Sequence, residues 1–200
     1  MPQFGLKGFH AAKYVNNNGA ISYTNKMEIG DAINANLELR TAEGYLYAND
    51  VEAEYMRLVT GGSVSLGMKY IKDAAKSLLF GSSSKNRNVT YIPTASTTTT
   101  TATASSDVIG GNDSPNYVGV SFYAPDMRDR KKMFTCVFIR KCLFGPPSMT
   151  LQTLNRSITF QTPVTTGEFM ADESSELGMI ETAVVEDEAE AKAWVEAVLA

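Results

Sequence analysis

Residues 32–40, AINANLELR, alternate strictly between apolar and polar side chains. Successive side chains of an extended strand point to opposite faces, so this pattern predicts a strand with one buried face and one wet face. The buried face is predicted to hold Ile33, Ala35, Leu37 and Leu39. The wet face is predicted to hold Asn34, Asn36, Glu38 and Arg40.

Extended segments with related patterns lie on both sides of this strand. Before it, HAAKYV and AISYT flank NNNG, and an Asn-Gly step between extended segments is a strong hairpin signal because both residues tolerate positive φ. After it, SVSLGM at residues 63–68 places Val64, Leu66 and Met68 on one face. The chain is therefore predicted to be mainly β.

Two segments have helical periodicity instead. YIKDAAKSLLFG ends on Gly81, a residue suited to a helix C-terminus, and DEAEAKAWVEAVL begins with acids, which suit the positive end of a helix dipole. The apolar stripes are Ile71, Ala74, Ala75, Leu78 and Leu79 in the first helix, and Ala191, Trp194, Val195, Val198 and Leu199 in the second. The second helix must bury its stripe on this subunit or on the next one.

Residues 82–115 connect the first helix to the strand NYVGVSFY and contain the tract TASTTTTTATASS. Threonine favours extended backbone, but a run of threonines has no alternation and fixes neither face nor register. We expect an exposed excursion, either a flexible hairpin or a disordered linker within one domain.

The segment MFTCVFIRKCLFG is apolar on both faces, which is typical of a central strand or of one covered by another subunit. Its predicted faces are Phe134, Cys136, Phe138 and Phe144 on one side, and Val137, Ile139 and Leu143 on the other. Cys136 and Cys142 would lie roughly 20 Å apart in such a strand, too far for a disulfide. A further strand, LQTLNRSITFQT, is predicted to turn Ile158 and Phe160 inward.

Charge is unevenly distributed along the chain. From Glu168 onward ten acids face one base, Lys192, which gives −9, and the remaining 17 bases and 12 acids give the body +5. Such a segment is most often a solvated surface. The more specific hypothesis is that this acidic C-terminal segment docks on a basic patch of a neighbouring subunit. The candidate patch is Arg128, Arg130, Lys131 and Lys132.

The sequence offers no constellation for catalysis or metal binding. His10 is the only histidine, and the two cysteines lack Cys-x-x-Cys spacing. Phosphate-binding, nucleophile-elbow and dinucleotide-binding motifs do not occur. The densest carboxylates lie in the acidic C-terminal segment. We therefore expect no enzyme, no metal and no cofactor.

The length and composition indicate one domain with a real core, at 200 residues, 44% hydrophobic and 20% charged. No apolar run approaches the roughly 20 residues that span a bilayer, and the N-terminus lacks the apolar core of a signal peptide. Free cysteines suit a reducing compartment. The sequence predicts folding in a cytoplasm and no membrane partner.

Several motifs in order resemble a known family. FGLKGFHAAKY and NNNGAISYTNKMEIGDAINANLELRTAEGYLYANDVEAE, followed by SPNYVGVSFY and FIRKCLFGPPSMTLQT, are similar to the major tail proteins of long-tailed phages with non-contractile tails. The resemblance covers residues 4–169. The threonine-rich segment looks like an insertion relative to that family, and the acidic terminal helix has no clear counterpart.

This resemblance implies a tail-tube fold of two packed β-sheets flanked by a helix. It implies hexameric rings, stacked into a hollow tube that conducts DNA from the capsid to the host. The chain would be made in a bacterial host cytoplasm and reside in the virion tail. Its partners would be copies of itself, tape-measure, tail-terminator and distal-tail proteins, and transiently DNA. The tube domain would span residues 1–170, with residues 82–115 as an insertion. Residues 171–200 would form an acidic C-terminal segment.

If the chain is a tail-tube subunit, two of its surfaces can be assigned. Residues 41–62 form a long connection with too many large apolar groups to be left in water, and we expect it to contact a neighbouring ring. Those contact residues would be Tyr45, Leu46, Tyr47, Tyr55, Met56 and Leu58. The lumen would be lined by Asn34, Asn36 and Glu38, since a neutral or acidic lining lets DNA slide. The threonine tract would project outward, so removing residues 94–106 should leave assembly intact.

Three alternatives remain open at the level of sequence. A type VI secretion tube protein would have the same kind of fold and assembly. A carbohydrate-binding β-sandwich would fit the strand pattern, although the missing signal peptide argues against it. A carboxylate hydrolase is favoured only by the abundance of Asp and Glu.

Overall fold

The computed structural model describes residues 5–95, 97–128, 130–153, 160–174 and 176–200. The chain is mainly β, as predicted, with ten strands and two helices in the described part. In chain order these are β1 (Lys7–Asn17), β2 (Ala20–Glu28), β3 (Ala32–Ala48), β4 (Val51–Met68), α1 (Asp73–Phe80), β5 (Ser83–Tyr91), β6 (Thr100–Val108), β7 (Tyr117–Arg128), β8 (Lys131–Phe144), β9 (Val164–Phe169), β10 (Ile180–Val185) and α2 (Glu188–Ala197).

Eight strands form one antiparallel sheet in the order β2-β1-β7-β8-β9-β4-β3, with β10 also paired to β8. Strand β8 has two neighbours along the same side. Its first part pairs with β10 from Phe134 to Ile139, and its end pairs with β9 from Cys142 to Phe144. Because β9 covers only the end of β8, the first part of β8 can pair with β10, which belongs to the acidic C-terminal segment.

The main core collects side chains from both halves of the strand order. Phe9 of β1, Leu66 of β4, Val120 of β7 and Ile139 of β8 are fully buried in one cluster with α1. The rings of Phe9 and Phe122 meet edge to face at 5.2 Å. Because the two halves share one core, the arrangement is consistent with a β-sandwich carrying a C-terminal helix.

Local sequence signals account for the best-predicted elements. Asn18 and Gly19 have φ values of 54° and 91° and join β1 to β2, as the Asn-Gly step indicated. Gly81 ends α1 in the left-handed conformation at φ 68°, which confirms its predicted role. The predicted inward set Val64, Leu66 and Met68 is buried. The α1 stripe is also confirmed apart from Ala74, which is exposed.

The prediction for AINANLELR is wrong about its buried face. Ile33 is 49% exposed and Leu39 is 58% exposed, and Leu37 is exposed as well. Of the four predicted inward residues only Ala35 packs against the core, together with Ala32 at the start of the segment. The reason is position, because β3 is the last strand in the order and pairs only with β4 in the described structure. Alternation therefore identified the strand but not what covers it.

Strand β8 also departs from simple alternation. Phe134, Cys136 and Phe138 do share one face, and Ile139 lies on the other. However, Phe144 belongs to the main core with Ile139, which corrects the predicted grouping. Between Val118 and Val120 of β7, strand β8 has one extra residue. After this bulge, the β8 side chains that would have pointed to one face point to the other. Both cysteines are free and buried.

The threonine-rich region forms a two-stranded sheet of its own, β5 with β6. Thus the excursion is an exposed hairpin and not a linker without structure. The strand predicted over residues 151–162 is not present at residues 151–153 and 160–162, and Phe160 is 87% exposed, not inward. Ile158 lies outside the described residues.

Candidate assembly surfaces

The long connection predicted over residues 41–62 is instead the outer part of the β3–β4 hairpin. Asn49 and Asp50 have φ values of 54° and 62°, the two positive values that a tight hairpin turn requires. Every residue from Ala42 to Thr60 is exposed. We call residues 41–60 the arm. Sequence reasoning missed its turn because Asn-Asp is a weaker signal than Asn-Gly.

One face of the arm is aromatic. Tyr45 and Tyr55 are directly opposite each other, with ring centroids 5.0 Å apart. Beside them the Arg57 Nε and Glu43 Oε1 atoms form an ion pair of 3.3 Å. Tyr47 lies two residues beyond Tyr45 along the same strand and is 64% exposed.

The other face of the arm is aliphatic. Met56 faces Gly44, Leu58 faces Ala42, and Leu46 faces Glu54 across the two strands. Leu46, Met56 and Leu58 are each more than half exposed. The structure thus brings together on one arm all six residues predicted to contact a neighbouring ring, and it adds Val51 and Val59, which the sequence argument had not named.

A pair of buried glycines marks where the arm leaves the body. A Cβ atom at Gly62 would lie 2.1 Å from the Glu38 carbonyl oxygen and 2.3 Å from the Phe169 ring. Gly61 has φ 144°, and a Cβ there would lie 2.6 Å from the Phe169 carbonyl oxygen. Because Gly61 and Gly62 have no side chains, β9 can approach the β3–β4 backbone closely. This close contact fixes the base of the arm to the body. Gly-Gly inside an alternating segment is the signal that could have located this boundary.

The predicted lumen residues lie on the inner part of β3. Asn34, Asn36 and Glu38 are all exposed, and the Asn36 amide nitrogen donates to Glu38 Oε1 at 2.9 Å. Strand β3 and strand β2 form opposite ends of the sheet order. Each pairs with one strand only in the described structure, so each presents an open backbone edge.

The residues expected to dock the C-terminal segment, Trp194, Val195, Val198 and Leu199, pack against their own chain in and just after α2. Val195 and Leu199 are buried, and Trp194 and Val198 are half-buried. Leu199 clusters with Ala12 and Phe138, and Val195 clusters with Tyr123 and Cys136. The Ser121 hydroxyl donates to the Val195 carbonyl oxygen at 2.8 Å. The α2 stripe therefore covers the outer face of β7 and β8 within this subunit.

Acidic residues of the C-terminal segment pair with basic side chains of the same chain. Arg140 contacts three carboxylates, those of Asp172 at 3.1 Å, Glu181 at 3.2 Å and Glu176 at 3.5 Å. Buried Lys141 contacts Glu173 at 2.5 Å. Lys7 contacts Glu188 at 2.7 Å, and Lys26 contacts Glu196 at 3.8 Å.

The predicted basic patch has a different environment. Arg128 pairs with buried Asp126 at 2.8 Å. Lys132 lies 5.0 Å from the centroid of the Phe134 ring. Within the described residues, Arg130 and Lys131 form no ion pair, and the charge of Lys132 helps to lower the pKa of Glu188 in the same chain. Pairing of this patch with the acidic segment of a neighbour stays a prediction.

Hydrogen bonding sets the titration of the C-terminal contacts. Burial opposes ionisation of Asp172, but hydrogen bonds from Ser174 and Arg140 outweigh it and hold the pKa below its usual value of 3.8. Hydrogen bonds from Lys141 and Asn16 lower the pKa of Glu173, and one from Lys7 lowers the pKa of Glu188. These carboxylates are therefore charged at neutral pH and hold the segment to the body.

The two cysteines and the single histidine lie within strands β8 and β1. Burial raises the pKa of the Cys136 thiol to about 11 and raises that of Cys142 as well, which disfavours the reactive thiolate. His10 Nδ1 lies 3.0 Å from the Gly8 carbonyl oxygen of the same strand. In the described ranges no group of three or more His, Cys, Asp or Glu side chains could hold a metal ion.

Neither described helix is long and apolar enough to cross a membrane. In comparisons with known proteins, no family model matches the chain and no curated protein matches it significantly.

Proposed function

We propose that this chain is the structural subunit of a phage tail tube, assembled as stacked hexameric rings that conduct DNA. The observation that carries the proposal is the arm. It projects from a well-packed body with large apolar side chains exposed on both faces. A monomer rarely exposes such a surface, whereas a sheet that is apolar on both faces is normally covered on both.

The two open edges of the sheet support ring formation. Strands β2 and β3 are different strands at opposite ends of the order, so contact between them in neighbouring copies would be head to tail. Head-to-tail contacts generate closed rings when the rotation closes. The number six comes from the resemblance to major tail proteins, which also suggests the tape-measure, tail-terminator and distal-tail partners.

The inner β3 strand suits contact with DNA without retention. Asn34 and Asn36 are exposed and neutral, and Glu38 is exposed and acidic. Lysine or arginine at such positions would neutralise phosphates and hold DNA by counterion release. A lining of this type would let the duplex pass.

Electron microscopy of the purified chain over a range of concentrations tests the proposal. We expect hollow tubes or stacked rings from the wild-type chain, and neither tubes nor stacks from a variant with residues 45–55 replaced by a two-residue Asn-Gly turn. Because the arm has no burial on its own body, that variant should unfold at the wild-type temperature. A wild-type chain that stays monomeric at high concentration, or a variant that still forms tubes, contradicts the proposal.

A second experiment concerns the lumen. The double variant N34K/N36K should form tubes that retain short duplex DNA at low salt and release it as salt increases. The matched control N86K/N88K adds the same charge at the same spacing on β5, outside the proposed lumen. Equal retention of DNA by both variants would contradict the assignment of β3 to the lumen.

A further inference from the structure

We propose that the β5–β6 hairpin is the docking surface for the arm of another copy of this chain. The inference rests on the proposed function in one respect, that the chain forms a homopolymer. It names a partner surface for the arm, and it gives the threonine-rich segment a role.

The β5–β6 hairpin has two unlike faces. On one face Lys85, Arg87, Val89 and Tyr91 lie in a row, and the residues opposite them on β6 are small or hydroxylated. Those opposite residues are Ser106, Ala104, Ala102 and Thr100. Val89 and Tyr91 are almost half exposed. This face therefore combines two cations with exposed apolar area, and we call it the basic face.

The opposite face is neutral over most of its length, and its polar groups largely satisfy one another. Thr90 and Thr101 are linked through their hydroxyls at 3.2 Å, Ser84 and Ser105 at 3.3 Å, and the Thr103 hydroxyl donates to Asn88 Oδ1 at 3.2 Å. On the basic face, by contrast, the described residues provide no carboxylate partner for Lys85 or Arg87. The basic face thus has unmatched charge as well as exposed apolar groups.

The outer part of the arm has the complementary chemistry. Asp50, Glu52 and Glu54 are exposed and have no basic partner in the described part of the chain. Glu54 lies opposite Leu46 on the aliphatic face with Met56, whereas Glu52 lies opposite Tyr47 on the aromatic face because β4 has one extra residue between them. The aliphatic face of the arm is thus acidic at Glu54 and apolar around it, which complements the basic face of the β5–β6 hairpin.

The two surfaces also match in length. Strands β5 and β6 have nine residues each, and the arm has strand segments 41–48 and 51–59 on either side of its turn. Nine residues of extended chain span about 30 Å. Because every copy would donate one arm and accept another, the contact is head to tail and can propagate through a polymer.

A second group of cations offers a poorer surface for the arm. Arg130, Lys131 and Lys132 lie at the β7–β8 turn, where Met127 is the exposed large apolar side chain. A turn cannot cover two extended strands, whereas a second hairpin can. The control for charge is taken from β5 itself, because Asn86 and Asn88 lie on the opposite face of the hairpin at the same spacing as Lys85 and Arg87.

Charge reversal and rescue test the proposal in the full chain. K85E/R87E and E54K should each raise the concentration needed for polymerisation by at least about tenfold, because like charges would then face each other. The combination of all three substitutions should return that concentration to near the wild-type value. The control N86E/N88E, which places two acids on the opposite face of β5, should polymerise like wild type. Circular dichroism should show that every variant is folded.

Two outcomes would overturn the docking proposal while leaving the tail-tube proposal intact. One is normal polymerisation of K85E/R87E, and the other is failure of the folded triple variant K85E/R87E/E54K to recover. The proposal also reverses the expectation from sequence that removal of residues 94–106 leaves assembly intact, because that removal deletes most of β6.

If the wild-type chain forms no rings or tubes, the tail-tube proposal is the one that fails. Docking is then tested by oxidising a mixture of M56C and V89C chains. The native cysteines are buried, so they should not form competing disulfides between chains. A disulfide-linked M56C–V89C dimer, absent from either variant alone, supports the contact. Absence of that dimer overturns it.

Discussion

The arm and the C-terminal segment are both appendages of the same sheet, yet they have opposite relations to the body. The C-terminal segment is strongly acidic, and β10 and α2 nevertheless pack on their own chain through Val195, Leu199 and ion pairs. The arm is also acidic, with four carboxylates against one base, but it exposes tyrosine, leucine and methionine to solvent. Uncovered apolar area, more than net charge, therefore identifies the surface that needs a partner.

The largest expected difference concerns two leucines in these regions. Leu199→Ala should lower the free energy of unfolding by about 2–5 kcal/mol, because the side chain is buried between Ala12 and Phe138. Leu46→Ala should change it by less than about 0.5 kcal/mol, because the side chain is 57% exposed. Chemical denaturation of both variants measures the difference. A loss of stability in Leu46→Ala comparable to that in Leu199→Ala would show that the arm packs on its own body.

Two arginines provide the next comparison. Arg140→Met leaves buried Asp172 without its cation and should cost about 3 kcal/mol. Arg57→Met removes an exposed ion pair with Glu43 and should cost less than about 1 kcal/mol. Thermal unfolding, followed by the fluorescence of the single tryptophan, Trp194 of α2, reports both. Equal costs would mean that the Arg140 cluster is as solvated as the arm pair.

Two glycines sharpen the boundary between arm and body. Gly62→Ala places a Cβ against the Glu38 carbonyl oxygen and should destabilise the chain by about 1–3 kcal/mol. Gly44→Ala, within the arm, meets nothing within 4 Å and should be neutral or slightly stabilising. Equilibrium unfolding of the two variants decides between them. An unchanged free energy of unfolding in Gly62→Ala would contradict the assignment of the boundary between arm and body to Gly61 and Gly62.

The smallest effect concerns pH. The pKa values of Asp172, Glu173 and Glu188 are lowered in the folded chain, so their contribution is present above the usual carboxyl values of 3.8 and 4.5 and is lost as pH falls through the lowered values. Amide exchange in α2 and β10 should therefore accelerate below about pH 4 relative to exchange at pH 7, after correction for intrinsic rates.

The arm serves as the internal control for that experiment. It has no burial on the body to lose, so its corrected exchange in the monomer should change little between the two pH values. Unchanged protection of α2 at low pH would contradict the view that these carboxylates hold the segment in place.

Segments with a strong local signal were predictable from sequence. The Asn18–Gly19 turn, the buried face of Val64, Leu66 and Met68, and the Gly81 helix end all depend on nearby residues. The size and apolar character of the six arm residues are also visible in the sequence, and their contact with a neighbouring ring stays a prediction. Their arrangement was not visible there, since pairing of residues 41–48 with 51–59 gives them two faces.

What the sequence determined by itself is the mainly β character, the strands with clear alternation, the two helices and the excess of apolar side chains in the arm, because period, turn residues and composition are local properties. The tertiary structure decided which alternating faces are covered. Ile33 and Leu39 are exposed because β3 lies at the end of the sheet order, and Phe144 is buried in the main core because β8 gains one residue against β7. It also decided that the acidic segment packs on its own chain, since Arg140 and Lys141 are brought to its carboxylates only by the folded sheet.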